Sequence, residues 1–501
     1  TTKKDHQVRL GLAMGGVCLF IIGITFLLMQ NSNLLQNNIT LQRLNTLSFS
    51  NIKNESRYHL WVIAWQSFKD RPLFGWGQEN FYYAYHQHYR PELYNEHEGY
   101  NDRAHNFFLD QLVSGGIIGL IAYLALYSSA FYMLWGRPGR DKFFRAEQCL
   151  ITGFFIVYFL NNSLTFDTMA TYLPVFTVLA FVQNTSNKTI RPSLPQKSMP
   201  RKNMLLAHIF IIGATISGIY YLNVQVWITA RDLATGLKLF PQNSTMSYQT
   251  FSNTLTQAPS FSLAEVRREL LIMLADPKKT ISSDLVSHSR FVVLAESEID
   301  KQLRQRPLDP LFLYAAGSFL YNEKKYDKAI LLLEQAQKIS PQQQLILLKL
   351  VEIYVAMKDY SHAFQIAQKA FELAPQFDTP RLTYAATALY TKREALASTL
   401  IKVTPENARM YNDQLLRAYI DTNQLNQAIT ILEYRANKNK NDTQANISLA
   451  TAYFMIGRKN EAIQLVRHVM SIDTQLQEVG TRWINQMEQG IMPGEQRRPS
   501  I

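Results

Sequence analysis

Five uncharged apolar runs occupy the first 226 residues of this 501-residue chain: roughly Leu10 to Met29, Leu112 to Trp135, Cys149 to Leu164, Met169 to Val182 and Met204 to Val226. About 20 apolar residues are what a helix needs to cross the hydrocarbon of a bilayer, and lipid tolerates only helices and closed barrels, because every backbone polar group must be satisfied internally. These runs therefore predict a membrane domain over residues 1–226 with about five transmembrane helices. The third and fourth runs are short and separated by a tight polar connection containing Asp167, which fits one hairpin or one re-entrant element. Leu10 to Met29 exceeds a usual signal-peptide core and is followed by no small-x-small cleavage site, so it reads as a span. The chain opens on Thr1 just before that span, which reads as a fragment or processed chain whose spans form the C-terminal part of a larger bundle.

Basic residues in the connections set the orientation. Lys3, Lys4 and Arg9 precede the first run; Arg137, Arg140, Lys142 and Arg145 lie between the second and third; Lys188, Arg191, Lys197, Arg201 and Lys202 precede the fifth. The positive-inside rule makes these three cytoplasmic. The loop at residues 30–111, the Asn161 to Thr168 connection and everything after Val226 are then extracytoplasmic. The net charge of +12 is spread along the chain without a Lys/Arg block, which favours an anionic lipid or lipid-phosphate partner and argues against nucleic acid. Cys18 and Cys149 both sit inside apolar runs and form no disulfide framework.

Beyond the last run the pattern changes to helical periodicity with an internal repeat. Leu320 to Ala329, Tyr354 to Ala363, Tyr419 to Ala428 and Tyr453 to Ala462 align without gaps; Ala329 and Ala363 are 34 apart, as are Ala428 and Ala462, and Pro341 and Pro375. A 34-residue period with a small alanine on the second helix and a closing proline is the tetratricopeptide signature. The alanine lets two helices cross closely and the proline ends the second. The 65-residue gap from Ala363 to Ala428 leaves room for a degenerate unit at Thr379 to Pro405. The expected domains are a divergent helical region at 227–306, repeats at 307–480 and a flexible tail at 481–501. The fold class is thus all-α: a polytopic transmembrane helical bundle followed by a soluble α-solenoid. Such repeats bind proteins or peptides, or merely pack.

Between the first two runs lies a polar, aromatic loop. Leu60, Ile63, Ala64 and Phe68 share one helical face, and Trp61 and Trp65 another, as suits a membrane interface. Asp70-Arg71-Pro72 stops that helix, and Gly75-Trp76-Gly77 makes a tight turn. Gly115, Gly116 and Gly119 form a small-residue stripe on the second run that would let another helix approach. Asn101 or Asp102 is a natural N-cap, which sets His105 in the first turn of that helix. A helix start favours an anion such as phosphate and disfavours a charged imidazole, so His105 is expected to be neutral and able to accept a proton.

The spacing Arg57-x3-Trp61-x3-Trp65-x2-Phe68-x3-Pro72-Leu73-x-Gly75-x-Gly77-x2-Asn80-Phe81, followed by His105-Asn106-x2-Leu109-x2-Leu112-x2-Gly115-x3-Gly119-Leu120, resembles the large extracytoplasmic loop of the O-antigen ligase/polymerase family. The resemblance covers about Asn54 to Val182, and members with C-terminal tetratricopeptide repeats occur. It implies a metal-independent, inverting transfer of a glycan from undecaprenyl diphosphate to a lipid or protein acceptor, at the bacterial cytoplasmic (inner) membrane and without a cofactor. In the family a loop histidine is the proposed base and arginines hold the diphosphate. His105 matches the former and Arg57 the position of one of the latter; another arginine lies in upstream spans. Arg103 and Arg90 are candidate helpers of Arg57, because a guanidinium grips phosphate oxygens by two donors at once. Asn106 is expected to cap or orient, and Trp61 and Trp65 to anchor the interface or stack on sugar.

Rival readings attach to the same residues. Arg57 can pair with Glu55 or a lipid headgroup. His86, His88, His97 and His105 suggest a zinc site, against which stand the lack of a cysteine and of a tight second ligand pair. For the whole chain the alternatives are an O-linking protein oligosaccharyltransferase, with the repeats presenting a protein hydroxyl, and a non-catalytic membrane-anchored scaffold.

Overall fold

A computed structural model describes residues 56–94, 101–136, 142–163, 165–186, 201–276, 285–473 and 476–492. The expected first span, Leu10 to Met29, lies outside them, as do Glu55 and His97. Every regular element among the described residues is helical. The chain divides into two compact units, residues 1–81 with 102–182, and residues 82–101 with 183–501.

The first unit holds α1 (Ser56–Asp70), α3 (Phe107–Trp135), α4 (Arg145–Asn162) and most of α5 (Met169–Ser186). The short helix α2 (Phe81–Gln87) belongs, from Tyr82 on, to the second unit. The apolar face predicted for α1 is buried at Leu60, Ile63 and Ala64. Along α3, Ile118, Ile121 and Leu124 point outward, as lipid-facing side chains would, and the helix is long and apolar enough to cross a membrane. The two shorter runs form separate helices that pack on α3 through Tyr127, Phe155, Tyr158 and Val175.

Gly116 breaks α3. Its φ of 63° and ψ of −163° belong to a region open only to glycine. The hydrogen bonds lost at the break are exchanged with the turn after α1: Ile117 N–H donates to Pro72 O (2.8 Å) and Ile118 N–H to Leu73 O (3.4 Å), while Val113 O accepts from Trp76 N–H (2.7 Å) and Ser114 O from Gly77 N–H (2.9 Å). The predicted role of Gly116 as part of a helix-approach stripe is therefore corrected. It receives the 72–77 backbone, and open space surrounds the Cβ position of Gly115.

In the second unit a continuous helix runs from α6 (Arg201–Ile219) through a π-turn (Tyr220–Val224) into α7 (Gln225–Leu239). Its stretch Asn203–Leu239 is also long and apolar enough to span, with no part of its most apolar window buried. Then follow α8 (Ser244–Gln257), α9 (Leu263–Ala275) and α10 (Leu285–Gln305). Arg267 on α9 is buried and satisfied from α10, donating to Glu298 (2.7 Å), Gln302 (2.8 Å) and Gln305 (2.8 Å). One core links this region to the first repeats through Phe240, Phe251, Phe291, Phe312 and Phe319.

The repeats are the helix pairs α11 (Pro310–Asn322) with α12 (Tyr326–Ile339), α13 (Gln344–Ala356) with α14 (Tyr360–Leu373), and α15 (Asp378–Tyr390) with α16 (Glu394–Lys402). After the short α17 (Glu406–Met410) come α18 (Asp413–Asp421) with α19 (Leu425–Lys438), α20 (Thr443–Met455) with α21 (Lys459–Ile472), and a closing α22 (Gln477–Glu488). Each turn inside a pair is made by one residue at positive φ: Lys324, Lys358, Lys392, Asn423 and Gly457. Five residues after each lies a fully buried alanine: Ala329, Ala363, Ala397, Ala428 and Ala462. The degenerate unit is thus a complete helix pair.

Candidate functional site

The turn before α3 is pinned from both sides. Asn106 is the N-cap, its side-chain oxygen accepting from Leu109 N–H at 3.2 Å. Asp110, in the first turn, accepts the backbone N–H of Ala104 at 2.7 Å. Held between these two anchors, His105 adopts φ 51°, a left-handed conformation uncommon for a residue with a Cβ. The expectation that Asn101 or Asp102 caps the helix is therefore corrected: His105 stands one residue before the cap rather than in the first turn, because the Asn106 side chain reaches the third helical amide.

His105 and Arg103 meet on one ring. The His105 imidazole lies 5.4 Å, centroid to centroid, from Phe166, and the Arg103 guanidinium 5.2 Å from the same ring. Phe166 belongs to the connection between α4 and α5, and its neighbour Asp167 anchors that connection. The buried Asp167 carboxylate accepts from Tyr158 (2.8 Å), Asn162 (2.9 Å) and Thr171 (3.0 Å), and Tyr158 in turn bonds Tyr123 and Tyr127.

Arg103 also donates to Glu79 at 2.8 Å. Around this pair lies a pocket lined by Gln78, Glu79, Asp102, Arg103, Asp110 and Ser114. Its carboxylates outnumber its single guanidinium, so the lining suits hydroxyl groups better than a diphosphate. A phosphate gripped by Arg103 would compete with Glu79 for its guanidinium.

Arg57 is exposed on the first turn of α1. Trp61 is half-buried and Trp65 is 47% exposed, with the Lys69 ammonium 5.8 Å from its ring. The described contacts bring together His105, Arg103 and Asn106, and do not join Arg57, Trp61 or Trp65 to them. Arg90 lies in the second unit, paired with Glu92 at 3.1 Å. His86 is buried against Gln343, and among the described residues no group of three His, Cys, Asp or Glu side chains is arranged to hold a metal. The sequence reading missed Glu79, Asp110 and Phe166. Asp110, an acid in the first helical turn four residues after Asn106, was the one with a local signal.

A broken membrane helix, a strained histidine at its start and an array of helix pairs on one chain define a membrane protein with a fused repeat domain. Residues 2–124 match the family model described as O-antigen ligase, and residues 312–343 and 346–377 match the tetratricopeptide repeat. The match spans the Arg57 and His105 motifs on which the resemblance was read. Solved structures similar to this chain include a tetratricopeptide repeat protein from Parabacteroides merdae (12% identity, 52% of this chain and 98% of that chain, TM-score 0.37). Others are the Pseudomonas aeruginosa protein pilF (14%, 44% and 95%, 0.29) and YrrB, described as having an unusual peptide-binding site (12%, 37% and 96%, 0.24). No curated protein matches.

Proposed function

We propose that the protein transfers a glycan from undecaprenyl diphosphate to an acceptor hydroxyl at the outer face of the bacterial cytoplasmic membrane. The observation that carries this reading is that His105 and Arg103, both within the residues 2–124 that match the O-antigen ligase family model, meet on the ring of Phe166. In the reaction the acceptor oxygen attacks the anomeric carbon from the face opposite the leaving group. The bond from that carbon to the phosphate oxygen breaks, the diphosphate departs with the electron pair, and the hydroxyl proton passes to His105. A diphosphate is already a good leaving group, so the protein has only to neutralise it and deprotonate the nucleophile. The acidic pocket beside Arg103 suits the sugar or protein hydroxyls of the acceptor. Arg57, exposed near the loop's start, is left for the diphosphate.

The test is a transfer assay with the full-length protein in lipid, a labelled undecaprenyl-diphosphate glycan and candidate acceptors. Glycan moved to lipid A-core or to a second lipid-linked glycan supports ligation or polymerisation; no transfer to any acceptor overturns the reading. A second reading, a protein hydroxyl as acceptor, is favoured by the repeat array on the same chain. Glycoproteomics of a deletion strain separates the two, because lost protein glycans point to the second and lost polysaccharide ligation or chain length to the first.

A further inference from the structure

Residues 82–94 belong to the same unit as the repeats and meet them at one recurring position. Tyr82 donates its hydroxyl to Asp309 Oδ1 (2.7 Å) and accepts from Leu311 N–H (3.1 Å). The His86 imidazole Nδ1 bonds Gln343 Oε1 (3.1 Å), and Gln344 donates to the Pro91 carbonyl (3.4 Å). The Tyr94 ring packs on Phe377 with centroids 5.4 Å apart, and against Leu347, Leu348 and Ala370. Asp309, Gln343 and Phe377 are the N-caps of α11, α13 and α15. They are spaced by the 34-residue period, so three successive repeats present equivalent positions in a row, and the segment touches each in turn.

We infer that this N-cap row is a docking strip for the chain's own residues 82–94, and that by holding them the repeats keep the loop carrying His105 in its working form. The partner of these repeats is therefore, in the first place, a segment of the same chain. Three features support an evolved fit over a chance contact. The contacts recur at the repeat period. They combine one buried polar pair (His86–Gln343), one part-buried pair (Tyr82–Asp309) and one aromatic contact, and such polar pairs are costly to bury unless the geometry is met. The segment is also closed at its base, since Glu79 and Arg103, which flank it in sequence, pair at 2.8 Å. The docking stands on these contacts alone; its consequence for transfer rests on the function proposed above.

The test is hydrogen exchange of the full-length protein in lipid, read over residues 82–94, alongside the transfer assay. Gln343→Ala with Phe377→Ala removes the strip from the repeat side, and Tyr82→Phe with Tyr94→Ala removes it from the segment side. Exchange over 344–390 reports whether the repeats stay folded. Expected are exchange over 82–94 faster by roughly tenfold or more and a transfer rate lower by about the same factor, with 344–390 unchanged. Phe377→Tyr, which keeps the ring, retains both wild-type values. Wild-type exchange over 82–94 as fast as in an unstructured peptide overturns the docking, as does protection that survives both double variants. Undocking that leaves transfer at the wild-type rate overturns the positioning role. If the wild-type protein transfers nothing, the proposed function fails and the exchange result still decides the docking.

Discussion

The Trp76 backbone N–H donates to the Val113 carbonyl at 2.7 Å, taking the place that Ile117 would hold in an unbroken helix. This exchange needs both glycines. A Cβ on Gly116 would lie 2.3 Å from Leu73 O, and one on Gly75 would lie 2.4 Å from Val113 O, with backbone on both sides. Gly116→Ala is expected to close the helix or expel the 72–77 turn, stranding polar backbone groups where lipid offers no replacement. Either Gly75→Ala or Gly116→Ala should sharply reduce the yield of folded protein extracted in mild detergent, while Gly115→Ala, which meets open space, leaves it unchanged.

The repeat turns offer the opposite experiment. Lys324, Lys358 and Lys392 hold positive φ where the last turn uses Gly457. A left-handed residue with a Cβ costs about 1–2 kcal/mol, offset in part by glycine's greater entropy in the unfolded chain. Lys358→Gly is expected to stabilise the repeats by roughly 0.5–1 kcal/mol, read from the denaturant midpoint of the repeat transition, and Lys358→Val to destabilise them.

His86 makes the repeat unit sensitive to acid. Burial pushes its pKa down from 6.5 to about 3, against which the Gln343 hydrogen bond acts weakly. The folded form stays neutral while an unfolded chain takes up a proton below 6.5, so this contribution is whole above pH 6.5 and is lost as pH falls toward 3. Each pH unit in that window costs about 1.4 kcal/mol. Exchange over 82–94, corrected for its intrinsic pH dependence, should quicken between pH 7 and pH 5, and His86→Phe should flatten the response. Tyr82 contributes no change over this range, because burial and the Asp309 carboxylate raise its pKa and keep it a donor.

Arg267 gives a prediction for the region between the last apolar run and the repeats. Its guanidinium is buried and donates to Glu298, Gln302 and Gln305. Arg267→Ala leaves Glu298 to the Lys301 ammonium alone (2.5 Å) and takes the donor from Gln302 and Gln305, which typically costs about 1–3 kcal/mol; Arg267→Met with Glu298→Leu should recover most of the loss in thermal unfolding.

Much of the fold was legible because periodicity is a local signal. Among the described residues, the apolar runs and the 34-residue spacing each fell on helices, and Ala397, 34 residues after Ala363, already marked the unit that seemed degenerate; only its 31-residue distance to Ala428 hid it. The helix break was not legible, because Gly115-Gly116 reads equally as a packing stripe, and what settles it is the backbone of a turn some forty residues earlier. His105 was singled out by its motif, but its place before the cap depended on which of several Asn and Asp side chains reaches the helix amides. The docking of residues 82–94 joins positions more than two hundred residues apart, and no pattern within the loop announces it.

The most direct test of the central claim is glycan transfer by His105→Ala in the full-length protein, with membrane insertion and exchange over 344–390 verified as wild type. Removing a positioned general base typically costs about 10²–10⁴-fold. A loss of that size with insertion intact is the predicted result, and transfer at the wild-type rate contradicts the account.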